Sequence, residues 1–576
     1  MEKQFLFRAQ YGTPELWSAI ASYCTRRTLQ SLALVNRNMV DPAQRHLFKN
    51  LAFKCTFCLP DLNASATNRL PAVEESNAYL SRSLDRFRAL PSSHLASYVR
   101  RWICEGMVGR RHHLFESAAA VCAEAIPPLV KSLHHYHLLQ CLVLSRVVLD
   151  ASTLLTISSF KKLNSLHLQR VILGCQLVLA APLRLREFHI EILDDDNDAP
   201  SGHAILDSFF SPVPLESLAL TYGAQRKAST VVSNLCINLL TQKPHSNLVR
   251  LIFTMQSMAG IELVVDLLEA SPLLNTLKLI IEANSDDDLD NLIGALEEIE
   301  LDINVCPLVN NLACPPTFAT RFNCSSKPIT KLYLQNSDYY YEYQSPSLSM
   351  VERAFQGING EIVVELELEA TKTESARSLL PLMQRLFPNL QLLCMPINDL
   401  HNDADMDLED GFLRDRFVDA ETIEDPDDLE RERNQFEACY DNGEDGAQLH
   451  FDEGYLRLVH DVAVGLIHVP SRMVRLDIPQ NRRYKRLQFT KSHELELVKL
   501  FASGPASKHL QCLKLGMNNP YNRRWKKDSC DGRWLKGRYY LRKEESDMVG
   551  TMCFSSVPAS PRGRGGHYKL ERGVAI

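Results

Sequence analysis

One spacing of apolar residues recurs along this chain and constrains its fold more than any other feature. It reads Leu-x-x-Leu-x-Leu, with close variants. It appears as LLQCLVL from Leu138, LNSLHL from Leu163, LRLREFHI from Leu183, LESLAL from Leu215, LVRLIF from Leu248 and LLNTLKL from Leu273. Later copies are ITKLYL from Ile329, IVVELEL from Ile362, LQLLCM from Leu390, MVRLDI from Met473 and LQCLKL from Leu510. Most successive starts lie about 20 to 37 residues apart, with longer gaps after Leu273 and Leu390. The alternation predicts a strand at each copy, with the second and third apolar residues on one inward face.

Segments with a helical period lie between the copies, such as Ser229 to Gln242, Gly260 to Ser271 and Glu374 to Phe387. Several end just before a stop signal, such as Pro272 or Pro388. Strand–helix units at this period resemble an irregular leucine-rich-repeat array. That predicts an α/β fold: a solenoid with parallel strands on its concave side and helices on its convex side. An ordinary α/β domain with parallel strands is the alternative.

Three short helices precede the array. The first is expected to use Thr13 as N-cap and Pro14 as its first residue, with Leu16, Trp17, Ile20 and Ala21 on one face. The second is expected from Thr28, carrying Leu29, Leu32, Ala33 and Leu34 with Val35 beside them. The third is expected from Asp41 as N-cap before Pro42, ending in Leu47 and Phe48. So small a unit carries more apolar side chains than it can bury alone, so the rest of the chain or another protein must cover the excess.

Thr13 to Phe53 resembles an F-box. Thr13, Pro14, Glu15 and Leu16 stand where that family has its Leu-Pro-x-Glu-Leu opening. Leu32 to Arg37 match its Leu-rich segment ending in Val-x-Arg, and Leu47 with Phe48 match its close. Thr13, Asn36 and Met39 depart from the family pattern without changing its spacing. Proteins pairing an F-box with leucine-rich repeats form a family, and the loose array here is similar to its fungal members. The resemblance implies a non-enzymatic, substrate-recognition subunit of an SCF-type ubiquitin ligase. Pro14, Leu16, Ile20, Leu29, Leu32, Leu34, Val35, Leu47 and Phe48 would dock on a Skp-type adaptor, and through it on a cullin. The repeats would hold an unknown target protein. The competing reading is a leucine-rich-repeat scaffold with no ligase role, whose N-terminal helices cap the first repeat.

The expected organisation is a helical unit (1–54), a connecting segment with a helix near Glu74 to Leu90 (55–97), the array (98–400), an insertion (401–446), further repeats (447–520) and a basic tail (521–576). Tyr98 to Cys104 alternates like a strand. The insertion holds eighteen carboxylates against four basic residues, a composition that favours disorder. The shorter runs Asp194–Asp198 and Asp286–Asp290 are expected in loops. Beyond Arg482 basic residues outnumber acidic ones at least two to one, and the Ser-, Pro-, Gly- and Arg-rich stretch after Ser555 is expected to be disordered.

Nothing in the sequence points to catalysis or a cofactor. There is no Walker loop and no G-x-S-x-G elbow. His493 and Glu494 begin a zinc-protease pattern whose second His is replaced by Leu497. Cys55 and Cys58 form one C-x-x-C pair, which cannot close a tetrahedral metal site. His134, His135 and His137 are read as helix-end residues rather than ligands. The sixteen cysteines are scattered among apolar runs, as buried thiols are. The opening MEKQFLFRAQYG lacks the pattern of a secretory signal, so a reducing intracellular compartment, cytoplasm and/or nucleus, is expected.

The most apolar stretch, near Ile261 to Ile281, carries Glu262, Asp266, Glu269 and Lys278, which excludes a membrane span. Trp525, Trp534, Tyr539 and Tyr540 among basic residues invite a nucleic-acid reading. The chain's net charge of −7 and the lack of a binding motif weigh against it. A clasp between the basic end and the acidic insertion is the alternative. Tyr339, Tyr340, Tyr341 and Tyr343 are a candidate contact cluster, or simply loop tyrosines.

Overall fold

The computed structural model describes residues 14–35, 39–54, 84–85, 87–106, 126–173, 183–192, 215–222, 247–281, 286–302, 304–322, 324–335, 348–369, 371–397, 454–480, 491–505, 509–515, 523–527, 534–539 and 568–575. It is a mixed α/β chain with two compact units, and the division falls within the predicted array.

The first unit begins with α1 (Pro14–Tyr23), α2 (Arg26–Val35) and α3 (Val40–Phe48). Strands β1 (Asn50–Lys54), β2 (Arg101–Glu105) and β3 (Cys141–Ser145) follow, side by side and parallel. β3 pairs with β5 (Ser165–Leu173), which also pairs with the two-residue β4 (Val148–Leu149). β6 (Glu187–Ile192), β7 (Ser217–Tyr222) and β8 (Arg250–Met255) continue the parallel order. Helices α4 (Ala151–Ser158) and α5 (Met258–Glu269) lie between strands. Asp150 caps α4 by accepting from the Thr153 amide at 2.7 Å, and Ser257 caps α5 through the Gly260 amide at 3.2 Å.

In the second unit β9 (Thr276–Ile281), β10 (Asn311–Cys314), β11 (Lys331–Leu334), β12 (Glu365–Leu368), β13 (Leu392–Cys394), β14 (Arg475–Asp477) and β15 (Cys512–Lys514) are parallel neighbours in that order. Between them lie α6 (Asp286–Glu298), α7 (Pro316–Arg321), α8 (Leu348–Gln356), α9 (Thr373–Leu386), α10 (Gly454–Val464) and α11 (Lys491–Ser503). From α7 onward each helix packs on the next.

All eleven predicted copies of the motif land on a strand. The frame that is buried begins at Leu139, Leu185, Leu274 and Val363 rather than at Leu138, Leu183, Leu273 and Ile362. In each repeat the residues at positions 1, 4 and 6 of the frame are in the core: Leu139, Leu142 and Leu144, or Leu390, Leu393 and Met395. Each such side chain contributes about 1.5–3 kcal/mol on leaving water. The long gap after Leu273 contains β10, whose frame is Val309, Leu312 and Cys314, all buried.

Several local expectations need correction. The cap of α2 is Thr25, whose hydroxyl accepts from the Thr28 amide at 3.1 Å, so Thr28 lies inside the helix. Met39, not Asp41, occupies the N-cap position of α3. Asp41 sits in the first turn, where its carboxylate pairs with Arg45 at 2.8 Å and accepts from the Tyr98 hydroxyl. Asp286–Asp290 is not a loop. It opens α6, where carboxylates meet the positive end of the helix dipole.

The basic end is also ordered in part. β16 (Arg523–Lys527) turns antiparallel onto β15, β17 (Trp534–Tyr539) onto β16, and β18 (Tyr568–Ala575) onto β17. β18 lies in the stretch expected to be disordered. Trp525 and Trp534 are buried, so they are not exposed platforms on which bases could stack.

Residues 401–446, Tyr339–Tyr343, Asp194–Asp198, Ser229–Gln242, Cys55 and Cys58 lie outside the described residues, as does most of Glu74–Leu90. Among the described residues no helix is long and apolar enough to cross a membrane.

Candidate functional site

The three N-terminal helices build a small core from Ala21, Leu29, Met39 and Ala43. Trp17, Cys24, Leu32, Ala33 and Leu47 pack against it, each partly buried. The inward residues are Trp17 and Ala21 on α1 and Cys24 just past its end, spaced i, i+4 and i+7. One residue earlier at each step stand Leu16, Ile20 and Tyr23, also at i, i+4 and i+7, and these are 53%, 39% and 87% exposed. α1 therefore has two apolar faces where the sequence predicted one. Leu34 on α2 is 87% exposed.

The nine predicted docking residues thus fall into distinct environments. Leu16, Ile20 and Leu34 are exposed. Leu29 belongs to the helical unit's own core, and Leu32 and Leu47 pack on that core. Phe48 is half-buried at the end of α3. Pro14 and Val35 lie at the ends of α1 and α2, with side chains outside the described residues. Tyr23 was missed, although its i+7 spacing from Leu16 is readable in the sequence.

α3 ties the helical unit to the first strands. The Lys49 carbonyl accepts from the Arg100 and Arg101 amides at 2.9 and 3.0 Å. Gln44 Oε1 lies 3.3 Å from His94 Nε2, and the Arg45 guanidinium sits over the Tyr98 ring at 5.7 Å from its centroid.

The second candidate surface is the strand face opposite the leucine core. In the first unit it carries Ser165, His167, Glu187, His189 and Thr221. Ser165 Oγ donates to Glu187 Oε2 at 2.8 Å and lies 3.1 Å from His167 Nε2. His167 Nε2 is 3.7 Å from Glu187 Oε2. Hydrogen bonding to His167 is the largest of the effects that hold the Glu187 carboxyl down at about 2. Burial pulls the His189 imidazole down to about 3. The hydroxyl and the carboxylate approach the same ring nitrogen of His167, so the group is not a nucleophile–base–orienter relay.

In the second unit the same face carries paired charges. Lys331 Nζ meets Glu365 Oε1 at 2.9 Å, and Arg475 Nη2 meets Asp477 Oδ2 at 2.6 Å. Cross-strand register places Cys394 between Glu367 and Asp477. Burial and then these carboxylates push its thiol well above the ordinary value.

His134 and His135 close a short 3-10 turn (Ser132–His135), with His134 Nδ1 2.6 Å from the Lys131 carbonyl. Glu494 is buried and accepts from the Trp525 indole at 2.8 Å, which gives this residue a structural partner. Among the described residues no group of three or more His, Cys, Asp or Glu side chains is placed to hold a metal ion. No protein-family model matches the chain, and no curated protein matches it.

Proposed function

We propose that the chain is the substrate-recognition subunit of an SCF-type ubiquitin ligase. Its N-terminal helices dock on a Skp-type adaptor, and its strand–helix array, a leucine-rich-repeat solenoid, holds a target protein. The chain carries out no bond chemistry. It raises the effective concentration of a target lysine near a ubiquitin-charged enzyme.

The observation that carries the reading is the second apolar face of α1, Leu16, Ile20 and Tyr23, with Leu34 of α2 also exposed. Four large apolar side chains exposed within nineteen residues are the anchors that a helix-binding partner buries. The F-box-like spacing names the partner's class. Leu29, Leu32 and Leu47 serve the docking face indirectly, by holding the three helices together.

The packing of α3 on Tyr98 and the first strands favours a second reading, a helical cap on a scaffold with no ligase role. Capping occupies α3 and leaves the outward face of α1 without a task. Co-purification with a Skp-type adaptor separates the two readings. Wild type should retain the adaptor. Leu16→Asp with Ile20→Asp should lose it, each substitution removing about 2 kcal/mol or more of binding, while the melting temperature stays the same. A wild-type chain that fails to retain the adaptor gives the scaffold reading precedence.

A further inference from the structure

Where α3 ends and β1 and β2 begin, the surface forms an open groove of about 370 Å³, within the size range of small-ligand sites. Three cationic side chains line it, Arg45, Lys49 and Arg100, beside the imidazole of His46. Leu138 contributes an apolar wall. Arg45 lies in the last turn of α3, where a cation meets the negative end of the helix dipole. That dipole amounts to about half a charge and cannot balance all three side chains.

The charges sort as follows. Arg45 is neutralised by Asp41 at 2.8 Å, and the other oxygen of that carboxylate is occupied by the Tyr98 hydroxyl. Arg100 Nη1 donates to the Ser97 and Val99 carbonyls at 2.7 and 3.2 Å, which orients its guanidinium without neutralising it. Among the described residues neither Lys49 nor His46 has an ion-pair partner. Lys49 and Arg100 therefore leave about two uncompensated positive charges. A single carboxylate would balance half of this. A phosphate monoester carries about −1.5 to −2 at pH 7 and presents several acceptor oxygens to a planar guanidinium and an ammonium.

We propose that this groove is a phosphate-monoester site. The ester comes either from a phosphorylated serine or threonine side chain or from a free small phosphate. The inference stands apart from adaptor docking, because none of the outward apolar residues of α1 lines the groove.

The test uses the full chain and a fluorescein-labelled Gly-Gly-phosphoserine-Gly-Gly peptide, followed by anisotropy. The phosphopeptide should bind at least about tenfold tighter than its serine and glutamate counterparts. Lys49→Glu, at an exposed residue without an ion pair, should weaken binding by about tenfold or more at an unchanged melting temperature. Lys49→Gln with Arg100→Gln should do the same. Inorganic phosphate distinguishes the source. Displacement at concentrations similar to the peptide assigns the site to a free phosphate, and a requirement for about a hundredfold more assigns it to a phosphorylated side chain. No binding at about 1 mM phosphopeptide, equal binding of the glutamate peptide, or full binding by folded Lys49→Glu would overturn the assignment.

Discussion

His189 stands half-buried on the outward strand face of the first unit, between His167 and Arg250, and burial keeps its ring neutral down to about pH 3. An unfolded chain takes up that proton near 6.5, so falling pH between 6.5 and 3 favours unfolding. Glu187 acts in a lower window. Its carboxyl is held at about 2 in the fold against an ordinary 4.5, so the stability it contributes is complete above 4.5 and is lost as pH falls toward 2. His189→Asn should flatten the dependence of melting temperature on pH between 6.5 and 4.5, and Glu187→Gln should leave that range alone and flatten it below 4.5. An unchanged slope in the His189 variant would contradict this account. Gly360 makes a steric rather than an electrostatic demand. A Cβ there would lie 1.9 Å from the Leu386 carbonyl oxygen. Gly360→Ala should lower stability by about 1–3 kcal/mol, read from the denaturant midpoint. None of these three residues is conspicuous in the sequence, because each owes its role to a neighbour brought close by folding.

Strands were the most legible elements. The motif works because positions 1, 4 and 6 of the frame reach the core whatever the length of the connection. It was overlooked where other apolar residues replace leucine, as in Val309, Leu312 and Cys314, or where the repeat was read only as a strand, as in Val99, Trp102 and Cys104. Helix starts were less legible, since Thr25 and Thr28 are both good caps and only the folded backbone distinguishes them. The least legible element was the antiparallel end. Basic residues at β16 and β17 suggested an exposed tail, yet they flank buried Trp525 and Trp534. Trp525→Ala should lower stability by about 3–5 kcal/mol, because it opens a cavity and leaves the buried Glu494 carboxylate without its indole donor. Removing residues 521–576 should leave β15 with an open edge and shift the protein toward aggregates on size exclusion.

For the molecule as a whole, two compact units suggest that damage stays local. Leu166→Ala in the first unit and Leu393→Ala in the second each remove a fully buried side chain and should lower stability by about 2–5 kcal/mol. Calorimetry should show each substitution moving a different part of the unfolding profile, the outcome expected if each compact unit unfolds by itself. Identical changes in one shared transition would argue for a single cooperative body. The period of the array was readable from sequence, and it puts His189, Tyr333 and Cys394 alike at outward position 5 of their frames; the period does not dictate which residue type stands there. The two-faced helix α1 carries a consequence in time. It precedes every repeat strand in the chain, so synthesis at about 5–20 residues per second leaves its outward face in water for roughly half a minute to two minutes before the array is complete. A partner that binds this face can engage the nascent chain on the ribosome, and assembly then begins before the remainder has folded.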